Sequence, residues 1–155
     1  MTGNRWLGDD EQRAWRAYLR MQSRLTAALN RQLQNESGLS LADYDVLVQL
    51  TDAPDGRLRP YELQRALDWE QSRLSHHLSR MQRRKLVARD ECIDDGRGAY
   101  IQITDTGRQA ITNAAPGHVA TVRNLFFDAL TREQVATLED LSTRILDRVD
   151  TTARA

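Results

Sequence analysis

Between Asp68 and Thr104 a short segment of helical periodicity runs straight into two segments of strand periodicity, joined by Asp94-Asp95-Gly96-Arg97-Gly98. Few small folds accommodate that order. Placing successive residues 100° apart puts Leu74, Leu78 and Met81 on one face of the helical part. Ser72, His76, Ser79 and Arg83, flanked by Arg73 and Arg80, lie opposite. From Gln71 to Arg89 there are six basic residues (Arg73, Arg80, Arg83, Arg84, Lys85 and Arg89) and no acid. An apolar stripe to pack on a domain, a basic stripe facing out and an Arg-tipped hairpin beside it point to a reader of nucleic acid.

The whole-chain charge argues the other way, because formal net charge is zero and the usual electrostatic footprint of such a protein is basic. Arg richness is weak support, since 21 Arg against one Lys is a compositional bias. The segregation of sign along the chain is the better signal.

At 155 residues the chain is about one domain long. No apolar run approaches the roughly 20 residues needed to cross a bilayer, and the N-terminal segment, with Arg5, Asp9, Asp10 and Glu11, lacks the apolar stretch of a signal peptide. The expectation is a cytoplasmic protein with no membrane partner. A single Cys92 forms no intramolecular disulfide, and His76, His77 and His118 have no metal-ligand spacing, so neither a metal nor a cofactor is expected.

Around the central stretch, apolar residues recur at helical spacing from Asp9 to about Asn35, including Trp15, Leu19, Leu25, Ala28, Leu29 and Leu33. Ser37-Gly38 ends that helix. Ser40 caps the next, with Asp43 at its third position, and this helix runs from Leu41 to about Thr51, burying Tyr44, Leu47, Val48 and Leu50. Pro54-Asp55-Gly56 is a turn and Arg57-Leu58-Arg59 a stub of strand. Pro60 opens a short helix to about Asp68; Asp68 then reads as the N-cap of the basic helix, with Gln71 completing a capping-box-like pair. Two short helices across a tight turn form a helix-turn-helix pattern.

Leu86–Ile93 and Ala99–Thr104 follow as strands. Thr104-Asp105-Thr106-Gly107 opens another helix, expected to break at Ala115-Pro116-Gly117 and to resume through Val119, Val122, Leu125, Phe126 and Leu130. Thr131, with Gln134 at the third position, caps a last helix whose apolar stripe is Val135, Leu138, Leu141, Ile145, Leu146 and Val149. Long amphipathic helices at both ends thus flank a central module too small to cover them.

This order of elements resembles the MarR (multiple antibiotic resistance regulator) family of winged helix-turn-helix transcription factors. The most specific pieces are Asp95-Gly96-Arg97, similar to the family's Asp-x-Arg wing tip, and Ile103-Thr104-Asp105-Thr106-Gly107, similar to the Leu/Ile-Thr-x-x-Gly leading out of the wing. Ser75, Leu78, Met81, Leu86 and Val87 resemble the recognition helix and its exit. Two departures stand out: Lys85 occupies a position where many members have Gly, at a cost of about 1 kcal/mol in a left-handed conformation. His76 stands where other members often carry Arg.

The resemblance implies a mostly α (α+β) fold: a winged helix-turn-helix module with long N- and C-terminal dimerisation helices. It implies one domain over residues 1–155, with a DNA-binding core at 39–107 and dimerisation helices at 1–36 and 108–150. The implied partners are a second copy, a pseudo-palindromic operator in double-stranded DNA, and a small-molecule effector that releases a repressor from it. In the recognition helix, Ser72, Arg73, Ser75, His76 and His77 would lie nearest the bases, and Arg80, Arg83 and Arg84 against phosphates. Arg97 would enter a minor groove, its guanidinium oriented by Asp95.

For the effector, Arg13, Trp15, Tyr18, Tyr44 and His118 could line a crevice between the dimerisation helices and the winged module, although each is a type more often found in core or interface. Trp6 and Leu7 read as an arm stapled onto the partner subunit. Two alternatives stand beside the ligand-released repressor. One is redox control through Cys92, weakened because neighbouring Asp90 and Glu91 raise a thiol pKa. The other is a winged-helix module for protein contacts, weakened because the outward helix face has no large apolar residue. An enzyme is not expected, as no phosphate-cradling loop, hydrolase motif or metal motif is present.

Overall fold

The computed structural model describes residues 5–91 and 98–154. The chain divides into two compact units, one as far as His118 and the other from Val119. The elements are α1 (Asp9–Ser37), α2 (Leu41–Asp52), β1 (Arg57–Leu58), α3 (Pro60–Leu67), α4 (Gln71–Arg83), β2 (Val87–Glu91), β3 (Ala99–Ile103), α5 (Asp105–Leu125) and α6 (Arg132–Ala153). The fold is mostly helical with one small antiparallel sheet, as the sequence implied. Among the described residues no helix is long and apolar enough to cross a membrane.

Local chemistry sets most boundaries. The first turn of α1 carries Asp9, Asp10 and Glu11, which favour the positive end of the helix dipole, and the helix stops where Gly38 turns left-handed at φ 70°. Ser40 and Asp43 form a reciprocal capping box at α2: the Asp43 N–H donates to Ser40 Oγ and the Ser40 N–H donates to Asp43 Oδ2, both at 2.9 Å. Thr131 and Gln134 do the same at α6. Lys85 adopts φ 61° and completes a Schellman turn after α4. There the Lys85 N–H donates to Gln82 O and the Leu86 N–H to Met81 O, each at 3.0 Å.

Asp68 departs from expectation. It is left-handed at φ 53° and closes α3, its N–H donating to Gln64 O. A left-handed residue cannot serve as an N-cap, which needs extended backbone. That conformation belongs to Glu70, so α4 begins at Gln71, two residues later than read from sequence, without a side-chain cap. Pro116 departs as well, because α5 runs through it without a break. A proline removes its own N–H from the ladder and crowds a carbonyl of the preceding turn, and packing offsets the loss: Ile111 and Ala114 are buried, and Gly117 lies against the side chains of Gln32 and Glu36. The helix then ends at Leu125, and a 3-10 turn over Phe127–Ala129 leads to α6.

The sheet order is β1-β3-β2, with Val87 opposite Ile103 and Glu91 opposite Ala99. The Thr-x-x-Gly segment locks this sheet to the end of α4. Thr104 Oγ1 donates to Lys85 O at 2.6 Å and accepts from the Gly107 N–H at 3.0 Å. A Cβ on Gly107 would collide with the Leu86 carbonyl, so the close approach requires glycine.

Leu33, Val46, Leu47, Leu50, Leu63, Leu74, Leu78, Met81, Ile101 and Ile103 make the core of the first unit. Val48, expected inside, is half-buried, and Val46 takes the inner place. Outside that core, α1 is exposed from its start to Arg24, and no residue of α6 is buried. Trp15, Tyr18, Leu19 and Met21 on α1, and Leu141, Ile145, Leu146 and Val149 on α6, present large apolar side chains to solvent. Helices rarely survive in water on propensity alone, so both faces call for a cover.

Candidate nucleic-acid interface

Leu74, Leu78 and Met81 anchor α4 in the core, which turns the opposite face outward. Ser72, Arg73, Ser75, His76, Ser79, Arg80 and Arg83 are all exposed there. The Arg73 guanidinium lies 4.1 Å from the centroid of the Trp69 ring, a cation–π contact that steadies a long side chain near the start of the helix. Ser79 Oγ donates back to Ser75 O at 3.0 Å, so its hydroxyl is partly committed to the helix.

Two residues assigned from sequence to the outward face do other work. His77 is 7% exposed and sits between α2 and Trp69, whose ring meets it edge-on at 5.3 Å. Its Nε2 lies 2.9 Å from Oδ1 of Asp43, an electrostatic contact off the axis of an aligned hydrogen bond. A ring so enclosed does not reach a base edge. Arg84 turns back too, donating to Asp43 Oδ2 at 2.6 Å and to Gly38 O at 2.9 Å. It ties the end of α4 to the α1–α2 junction, while its side chain stays 44% exposed.

Asp43 is the centre of this arrangement and was read from sequence only as a cap. It is 2% exposed, and burial alone would raise its pKa. Contacts with His77, the Ser40 N–H and Arg84 outweigh burial and hold the carboxyl well below the usual carboxylate range. No periodicity signals this role, since its partners lie far along the chain. His77 did carry a signal: it stands three residues after Leu74 and four before Met81, on the packed face.

At the base of the wing, β3 contributes a second cluster that sequence reasoning missed. The guanidiniums of Arg57 and Arg59 lie 4.4 and 4.3 Å from the centroid of Tyr100. Arg59 is buried, and it donates to the Tyr100 hydroxyl at 3.3 Å and to Gly98 O at 3.5 Å. Asp95 and Arg97, read from sequence as a wing tip, and Cys92 lie outside the described residues.

The five residues suggested for an effector crevice fall into two groups. Arg13 pairs with Asp10, and Trp15 stacks on Tyr18 at 5.8 Å, all on the exposed part of α1. Tyr44 packs against His118 at 4.4 Å. The first group is about 20 Å along the helix from Asn30, whose side chain accepts from the Leu41 N–H where α2 begins. Burial lowers the His118 pKa and, with Asp45 beside it, burial raises that of Tyr44, so both stay neutral near pH 7.

Comparison with known proteins places these features in context. A family model described as MarR family matches residues 37–98. AbsC, a MarR family transcriptional regulator from Streptomyces coelicolor, superposes with a TM-score of 0.90 at 37% identity, over 96% of this chain and 99% of its own. Sco3205, a MarR family transcriptional regulator from the same organism solved in complex with DNA, gives 0.88 at 38% identity, over 93% of this chain and 91% of its own. The transcriptional repressor MprA of Escherichia coli (strain K12) is 24% identical over 135 residues, 87% of this chain and 76% of that protein.

Proposed function

Because this chain belongs to the MarR family of transcriptional regulators, we propose that it is a homodimeric repressor that holds a pseudo-palindromic operator and releases it when a small molecule binds. Members of the family regulate transcription and are not enzymes. The observation that carries the reading is the outward face of α4, polar and basic throughout and mounted on a buried apolar stripe. A relative 38% identical to this chain is a DNA complex, which supports the same use here. Residues 39–107 form the DNA-binding core in this reading, and 1–36 with 108–150 the dimerisation helices.

In the major groove, Ser72, Arg73, Ser75 and His76 take the base edges, since the N-terminal part of a recognition helix points inward. Arg80 and Arg83 take phosphates; His77 and Arg84 are reassigned to holding the helix. Arg97, by its place in the Asp-x-Arg motif, takes the minor groove with Asp95. The exposed apolar faces of α1 and α6 support a second copy as their cover. The effector site rests on Tyr44 and His118, a neutral aromatic pair suited to a small phenol or weak acid.

Arg73→Ala is the sharpest test of base reading. Against a panel of single-base operator variants it is expected to lose about 1–3 kcal/mol of discrimination at one base pair per half-site, with little change elsewhere. Equal weakening across the panel would move Arg73 from the bases to the phosphates. Adding small phenols and acids to the wild-type complex should release the duplex, and an effect lost in Tyr44→Ala would place the effector at that pair.

A further inference from the structure

His77 and Arg80 make a contact that recognition of DNA does not by itself require. Arg80 Nη2 lies 3.1 Å from His77 Nδ1, one turn along α4. A guanidinium can only donate, so Nδ1 must present its lone pair. On the other side of the ring, Nε2 faces Oδ1 of Asp43 at 2.9 Å, and a carboxylate can only accept. Both neighbours therefore favour the same form, neutral imidazole with its proton on Nε2, the Asp43 contact acting electrostatically rather than as an aligned hydrogen bond. The opposite tautomer would set a bare nitrogen against a carboxylate and an N–H against a guanidinium.

We propose that His77 is a positioning residue for DNA binding, fixed by Asp43 as the Nε2–H tautomer so that Nδ1 holds the Arg80 guanidinium in place on the outer face of α4. This rests on the reading that α4 binds DNA, with Arg80 against a phosphate. The surroundings fix the ring well. Asp43 approaches from α2, with Arg84 neutralising its other oxygen at 2.6 Å. Trp69 packs against the ring edge-to-face at 5.3 Å, and the Arg73 guanidinium is held over the same indole at 4.1 Å. A free Arg side chain carries rotamer entropy, part of which it loses on meeting a phosphate. A guanidinium already tethered loses less on binding.

Two measurements test this. Nitrogen NMR of the wild-type imidazoles should show the proton of His77 on Nε2, and Arg80→Ala should shift the Nδ1 resonance; a proton on Nδ1 would overturn the proposal without any variant that must fold. In duplex binding, His77→Phe keeps an aromatic ring beside Trp69 but has no lone pair, and is expected to bind about 3- to 10-fold more weakly. The double variant with Arg80→Ala should then bind as Arg80→Ala does alone, within twofold. If the two losses multiply, His77 acts independently of Arg80 and the proposed role fails. A wild type that binds no duplex overturns the DNA-binding reading and this role together, whereas a wild type that binds with the wrong tautomer overturns only the role of His77.

Discussion

Changing Ile145 and Leu146 together to Glu is expected to give a folded monomer that binds its operator at least about a hundredfold more weakly than wild type. The two side chains are 63% and 60% exposed on α6, and Leu141 and Val149 continue the same apolar face. In the proposed dimer this exposed apolar face meets the second copy. Charges placed there would have to be buried unpaired when two copies meet, at several kcal/mol each. The core of the first unit contains neither residue, so it should keep its stability. The loss in DNA binding follows from valence, because two linked half-site contacts gain about 10² to 10⁴ in apparent affinity over one. Sedimentation would report the monomer, and a duplex titration the loss. A variant that stays dimeric would move the interface elsewhere.

The second large effect belongs to Asp43. Asp43→Ala removes the side-chain acceptor of the Ser40 N–H in the α2 capping box, the counter-charge of Arg84 and the partner of His77 in one change. Breaking a buried ion pair costs about 3–5 kcal/mol, but Arg84 is half-exposed and can recover water, so about 2–3 kcal/mol is expected here. Because the folded state holds this carboxyl below the usual carboxylate range, its contribution is fully present above the unfolded-state pKa of about 4. It is lost only as pH falls below that, through the folded value. Denaturant melts of wild type and Asp43→Asn should therefore differ by a constant amount from pH 8 to 5 and converge only in stronger acid. Curves that converge near pH 6 would mean that another group supplies the stability.

What could be read in the sequence was mainly what is decided within a few residues. Ser40 and Asp43 as a capping box, Gly38 as a helix stop, Pro60 at a helix start and the left-handed Lys85 all depend on neighbours three or four positions away. Asp68 failed because the same residue type suits two opposite jobs: an extended N-cap and a left-handed end. Nothing local decides between them. Pro116 failed for another reason, since packing of α5 against the end of α1 overrode a cost that periodicity alone would have enforced.

The outward face of α4 illustrates the same limit. Ser72, Arg73 and His76 could be placed by a helical wheel, whereas His77 stands one residue, or 100°, further round and faces inward. What draws it in is Asp43, 34 positions earlier in the chain, and the same carboxylate captures Arg84. A basic cluster in sequence is therefore a mixture of charges offered outward and charges already committed to the fold. Only three-dimensional contacts separate them.

If the exposed face of α4 and the wing bind a duplex, titrating the wild-type protein with DNA flanking its own gene at about 50 and 200 mM salt will reveal it. Saturable binding that weakens about a thousandfold or more between the two conditions is expected, as for a dimer releasing counterions from six or more phosphates. No saturable binding to any flanking duplex, or binding indifferent to salt, would contradict it.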